Sequence, residues 1–216
     1  MRIVCISDTH GLHDRVKVPH GDVLIHAGDA CNTGKLADFQ NFSVWFLSQP
    51  HRYKIFVPGN HDRICELEPL LCKRMLEHAN GGVFYLSDSM VTFSGLRVYG
   101  TPWQPEFCNW AFNLTEAALY DKFAAIPSNL DILISHGPPH GVGDRTDYSK
   151  KTIEHLGSKS LRDRLKSLAN PPRFHVFGHI HGGYGIHTTS GTTVSINAAV
   201  CNERYEAVNA PIVFFS

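Results

Sequence analysis

The sequence predicts an α/β fold of four layers, an α-β-β-α sandwich in which two mixed β-sheets lie face to face with helices on both outer sides. Three observations carry this prediction. Short runs rich in Val and Ile, each about five residues long, recur along the chain as buried strands require. Segments with helical apolar spacing lie between the early runs, giving a β-α-β-α-β order. The middle and the C-terminal end carry short strand-like runs separated by turns, so the sheets are expected to be mixed.

Taken in order, RIVCIS leads into Asp8-Thr9-His10-Gly11, and DVLIHA leads into Gly28-Asp29. A helix is expected from Lys35 to Gln49, with Leu36, Phe39, Val44, Phe46 and Leu47 as its apolar positions and Pro50 as its stop. YKIFV leads into Gly59-Asn60-His61-Asp62. The spacing of Leu67, Leu70, Leu71, Met75 and Leu76 predicts one helix from Arg63 to Ala79, ended by Asn80-Gly81-Gly82. VFYLS, MVTFS and LRVYG read as short strands. Thr115 to Ile126 reads as a helix with a threonine cap that ends before Pro127. DILIS leads into His136-Gly137, and Ser158 to Ala169 is a serine-capped helix ending before Asn170-Pro171-Pro172. RFHVF leads into Gly178-His179-Ile180-His181; if the strand continued, the two histidines would share one face. YGIHTT, TTVSIN and PIVFF are the last strands, with Ser190-Gly191 as a hairpin turn. A length of 216 residues without repeat or linker is expected to form one domain, 1–216.

Lys plus Arg and Asp plus Glu are 20 each, so no basic excess points to a groove for long nucleic acid. No apolar run is long enough to span a membrane. The six cysteines form no CxxC pair, which predicts a reduced, cytoplasmic protein. Histidine is the anomaly, with 14 copies. No G-x-S-x-G is present, which disfavours a serine hydrolase.

The residues just beyond the predicted strands are Asp8 and His10; Asp29; Asn60, His61 and Asp62; His136; His179 and His181. Ligands of open α/β sheets bind beyond the carboxyl ends of strands. Each residue alone has a bland reading as a cap or turn, but together they form a set of carboxylate, amide and imidazole donors. The set is too large for one tetrahedral zinc and suits two divalent ions with one bridging carboxylate. Mixed N and O donors without thiolate point to Mn²⁺ first, with Fe, Zn, Ni, Co or Mg as alternatives. Glycines 11, 28, 59, 137, 178 and 182 beside the donors are expected to let the backbone turn toward the site.

The order D-x-H, G-D, G-N-H-D, H-G, G-H-x-H resembles the calcineurin-like metallophosphoesterase superfamily. YGTPWQPEFCNWAFNL, ISHGPPHGVGDR, GHIHGGYG and VNAPIVF are similar to its metallophosphoesterase-domain-containing branch, whose better known members are phosphodiesterases. The resemblance implies a minimal version without the N-terminal extension of vertebrate members. It implies the same four-layer fold. It also implies that Asp8, His10 and His181 hold one metal, that Asn60, His136 and His179 hold the other, and that Asp29 bridges. A metal-bridging hydroxide would attack a small or nucleotide-like phosphodiester, a cyclic nucleotide among the candidates, while His61 stabilises the transition state or protonates the leaving oxygen. Asp62 is expected to orient His61 or raise its pKa, to cap the helix that follows, or to do both. The competing readings are a phosphomonoesterase, including a protein phosphatase, and a scaffold of the same fold; the complete ligand set argues against the scaffold.

Weaker signals surround this set. Trp103 and Trp110 stand on an aromatic, proline-stiffened loop that reads either as a wall stacking a nucleobase or as a self-packed cover, with the structural reading favoured. His140 and Arg145 follow His136 on a glycine-rich loop, where Arg145 contacts either a phosphate or a surface carboxylate. His13 is a candidate for a supporting position behind the ligands. His20, His26, His51, His78, His155, His175 and His187 receive no role.

Overall fold

A computed structural model describes residues 1–77, 81–146, 154–188 and 191–216. Two large mixed sheets pack face to face. The first has the order β13-β1-β2-β3-β4, formed by Ile212–Phe215 (β13), Arg2–Ile6 (β1), Val23–His26 (β2), Tyr53–Phe56 (β3) and Val83–Tyr85 (β4). β1 to β4 are parallel and β13 runs antiparallel along β1. The second has the order β11-β12-β10-β9-β6-β5, formed by Gly185–Thr188 (β11), Val194–Asn197 (β12), Phe174–Phe177 (β10), Ile132–Ser135 (β9), Leu96–Thr101 (β6) and Ser89–Phe93 (β5). Its four inner strands are parallel, and β5 and β11 are antiparallel edges. Gln104–Pro105 (β7) and Asn113–Leu114 (β8) make a small separate ladder that closes the base of the aromatic loop.

Period-two alternation sorts each strand between two cores. Ile3, Cys5, Val23, Ile25 and Ile55 face Ile132, Ile134, Val176 and Ile196 across the sandwich. Their neighbours Val4, Ile6, Leu24 and Phe56 point outward against the helix Leu36–Ser48 (α1), whose Phe39, Phe42 and Phe46 are buried at helical spacing. Val44, expected on that apolar face, is 71 % exposed. On the other side Leu133 packs under Glu116–Ala124 (α4) and Lys159–Ser167 (α5), with Leu119, Phe123 and Leu161. Thr115 and Ser158 cap α4 and α5, accepting from Ala118 N and Leu161 N.

The single helix expected over residues 63–79 is two, Arg63–Leu67 (α2) and Pro69–Leu76 (α3). Pro69 opens the second and pushes Glu68 to φ −131°, ψ 58°, out of the helical region. His78 and Ala79 of the expected helix, Asn80 of its stop, Thr189 of the expected strand and Ser190 of the expected hairpin turn lie outside the described residues; β11 and β12 are antiparallel, as a hairpin requires. The six cysteines are free, and all except Cys108 are buried. Among the described residues, no helix is long and apolar enough to cross a membrane. Both parallel sets deliver their carboxyl ends to one rim, where the loops after β1, β2, β3, β9 and β10 meet.

Candidate metal centre

Asp8 and His10 follow β1, Asp29 follows β2, Asn60 and His61 follow β3, His136 follows β9, and His179 and His181 follow β10. The loops bring ligating atoms of Asp8, His10 and His181 within 4.8 Å of one another, and those of Asp29, His136 and His179 likewise; a third such group is His10, Asp29 and His61. His181 Nε2 lies 3.4 Å from Asp8 Oδ1 and 3.2 Å from His10 Nε2. Asp29 stands between the groups, with Oδ2 3.8 Å from His10 Nε2 and Oδ1 3.4 Å from His136 Nε2. Asn60 Oδ1 is 2.9 Å from His136 Nε2. His179 and His181 do not share a strand face: β10 ends at Phe177, His179 turns left-handed at φ 67°, and His181 opens a short 3₁₀ turn, so the two imidazoles go to different groups.

The backbone of this site is unusual at the donors themselves. Asp8, His10, Asp29 and His179 have φ of 54°, 44°, 56° and 67°, a region that costs non-glycine residues roughly 1 kcal/mol or more each. Of the flanking glycines 11, 28, 59, 137, 178 and 182, only Gly11 and Gly28 have positive φ. Gly59 acts by close approach instead, since a Cβ there would lie 2.3 Å from Asp29 Oδ1.

Anchors behind the imidazoles set their tautomers. Nδ1 of His136, His181 and His61 donates to the carbonyls of Ala27, Asn202 and Asn32 at 2.9, 2.9 and 2.7 Å. That places each neutral ring's Nε2 lone pair on the opposite edge, as ligating histidines are held. Burial lowers His10 to about 4 and His179 to about 3, keeping both neutral. Burial would raise Asp8, but the hydrogen bond and charge of His181 outweigh it and hold the carboxyl at about 2. Burial opposes protonation of His136, yet the Asp29 carboxylate beside it lifts it to about 9. Once His136 gives up that proton, buried imidazoles with Nε2 lone pairs around ionised carboxylates are a donor set that fits divalent cations.

Asp62 stands at the N-cap position of α2, but its side chain neither caps the helix nor holds His61. His61 is oriented by Asn32 rather than by Asp62. Its buried carboxylate accepts from Cys31 N at 2.8 Å, Gly59 N at 2.8 Å and Ala30 N at 3.3 Å, tying the loops after β2 and β3 together. Burial and the nearby Asp29 charge push it up to about 6.

The donors open into a cleft of about 580 Å³. His140 lines it, but Trp103 and Arg145 do not. Trp103 is tied into the fold, with Nε1 donating to Asp88 Oδ2 at 2.7 Å and Lys122 over its ring at 4.3 Å. Arg145 sits beyond the cleft, its backbone bridging to His155. Trp110, read as structural, lies in the cleft wall and stacks on His61 at 4.1 Å and 24°. His13 packs between Phe42 and Trp45 and is no partner of the donors. Tyr205, which the sequence reading passed over, presents its ring edgewise to His10 at 4.7 Å and to His181 at 5.3 Å. The signal for it was available: Asn202 to Tyr205 follow β12, a further parallel strand whose carboxyl end meets the same rim.

Comparison with known proteins agrees with this geometry. The family model described as calcineurin-like phosphoesterase matches residues 1–183. The chain is 41 % identical over 232 residues to metallophosphoesterase domain-containing protein 1 of Homo sapiens, covering 98 % of this chain and 70 % of that protein. It is 34 % identical to UPF0046 protein C25E10.12 of Caenorhabditis elegans, covering 99 % and 80 %. The crystal structure of TT1561 of Thermus thermophilus superposes with a TM-score of 0.62 at 15 % identity, over 91 % of this chain and 88 % of that one, which is a likeness of fold.

Proposed function

The chain belongs to the calcineurin-like phosphoesterase family and is a metal-dependent phosphoesterase; from that premise we propose that it is a dinuclear phosphodiesterase acting on small or nucleotide-like diesters. The observation that carries the reading is the pair of ligand groups with Asp29 reaching into both. Asp8, His10 and His181 would hold one cation and Asn60, His136 and His179 the other, with Asp29 shared. When bound, two divalent cations supply positive charge for the phosphoryl oxygens and lower the pKa of water from about 15.7 toward about 7.

The chain's own residues supply orientation and a proton. His61 is held from behind by the Asn32 carbonyl and from the side by Trp110, so its Nε2 edge faces the cleft. A protonated His61 would give its Nε2 proton to the leaving oxygen. Phe107, Trp110 and Tyr205 line the same cleft as an aromatic wall on which a planar leaving group would rest.

The test compares hydrolysis of bis(p-nitrophenyl) phosphate with that of p-nitrophenyl phosphate, using protein stripped and refilled with Mn²⁺. Diester turnover that needs metal and falls at least about a hundredfold in Asp29→Asn is expected. Turnover of the monoester alone would make the protein a phosphomonoesterase. Absence of bound metal after refilling would overturn the assignment.

A further inference from the structure

The cleft has a second built region away from the metal-type ligands. Asp144 is fully buried, yet its carboxylate accepts from Gly141 N at 2.8 Å, Gly157 N at 3.1 Å and His155 Nδ1 at 2.7 Å. A carboxylate removed from water is costly unless such donors surround it. Of these partners the one that brings a side chain to the cleft is His155. With Nδ1 turned inward to Asp144, its Nε2 edge is the one left for the cleft.

His140 stands beside it, with ring centroids 5.3 Å apart, and both line the cleft with Lys159. Arg162 Nη1 donates toward His140 Nδ1 at 3.4 Å, which leaves the His140 proton on Nε2. Glu106, Glu116 and Glu203 line the cleft as well, and the carboxylate of Glu116 is engaged in the fold. It accepts from Lys159 N, Ser160 N, Ser160 Oγ and Ser158 Oγ at the first turn of α5. Glu203 stands beside Gly182, next to His181. Among the described residues, neither His140 nor His155 belongs to a metal-type group.

We propose that His140, His155 and Lys159 form an anion subsite, so that the substrate carries a second phosphate besides the phosphoryl group that is cut. The inference rests on the phosphoester reading of the first site. The His140 N–H and the Lys159 ammonium donate to two oxygens of a terminal phosphate and the His155 Nε2 edge meets the third, a match for three oxygens better than for the two of a carboxylate. The subsite makes these loops the part of the cleft that selects substrate, while the donors at the strand ends do the chemistry.

Titration calorimetry tests this on the full Mn²⁺-loaded chain, with thymidine 3′,5′-bisphosphate against the 3′- and 5′-monophosphates. The bisphosphate is expected to bind at least about tenfold more tightly than either monophosphate. His155→Asn keeps an N–H for Asp144 but removes the ring, and Lys159→Met changes an exposed side chain; each is expected to bring the ratio to within about twofold of one. A ratio near one in the parent protein, or a ratio unmoved in both variants, would overturn the subsite. No turnover is required. A protein that keeps the preference but hydrolyses no diester would count against the phosphodiesterase reading alone.

Discussion

His136 shows how far one neighbour decides a residue's chemistry. The Asp29 carboxylate lifts it to about 9 against the pull of burial. A cation held by these residues would take the place of that proton, so metal uptake at pH 7.5 should release about one proton from this pair. Calorimetry in two buffers of different ionisation enthalpy reads the release directly, and a buffer-independent heat would contradict it. The same shift has a consequence for stability. A group raised above its unfolded value of 6.5 contributes stability that is complete below that pH and is lost as pH rises through about 9. Metal-stripped protein should therefore melt at lower temperature at pH 9 than at pH 6.5, and the metal-loaded protein should show less of this fall. At this scale the donors were legible because each follows an apolar run, a position that needs no knowledge of the fold. The route of His179 and His181 was not legible, since the strand stops at Phe177 and their separation comes from a left-handed turn. Asp62 was misread for a related reason. Its sequence position before a helix suggests a cap, but its carboxylate is taken by amides from a loop some thirty residues earlier.

That carboxylate gives the loops their common frame, and the elements around it explain why the aromatic segment belongs to the site. Asp62→Ala would leave the amides of Cys31 and Gly59 buried without acceptors, at a cost of roughly 2–4 kcal/mol read by urea unfolding. A loss below about 0.5 kcal/mol would show that the two loops hold themselves. The aromatic loop is bolted to the turn after β3 at three points. Ala111 N donates to Asn60 O at 3.2 Å, Arg63 Nη1 donates to Asn109 O at 3.0 Å, and Phe112 N donates to Glu66 Oε1 at 2.8 Å. These ties argue for a fixed wall. They also separate the two tryptophans, which composition could not do. Trp103→Phe loses the bond to Asp88 and should cost about 1 kcal/mol of stability with kcat unchanged. Trp110→Leu removes the ring stacked on His61 and should lower kcat several-fold with little change in melting temperature. Measuring both quantities on both variants decides the matter, and the reverse pattern would exchange their roles. The break at Pro69 was legible in principle, because proline restricts the residue before it, but the leucine spacing runs through the break and masks it.

Across the whole molecule, two mixed sheets place their parallel strands so that six loops share one rim, and the last stretch of chain is part of that construction. The sequence showed short strands at the C-terminal end but not their partners, since alternation sets faces and leaves strand order open. The family match ends at residue 183, yet the strands that follow reach both sheets. β12 pairs with β10, which precedes His179 and His181, and β13 pairs with β1, which precedes Asp8. Asn202 O receives His181 Nδ1, and Tyr205 packs against His10. Ile196, Val200, Ile212 and Phe214 are buried. At about 1.5–3 kcal/mol for each such side chain, these four contribute roughly 6–12 kcal/mol, as much as the net stability of an ordinary domain. A chain cut to residues 1–183 should therefore show no cooperative thermal transition and retain no Mn²⁺ after gel filtration. Calorimetric melting and metal counting on that fragment check both points. A fragment that melts cooperatively and holds two ions would mean that the matched stretch contains its own complete core and that the last strands only cover it; loss of both would make the C-terminal strands as much a part of the metal site as the histidines that they position.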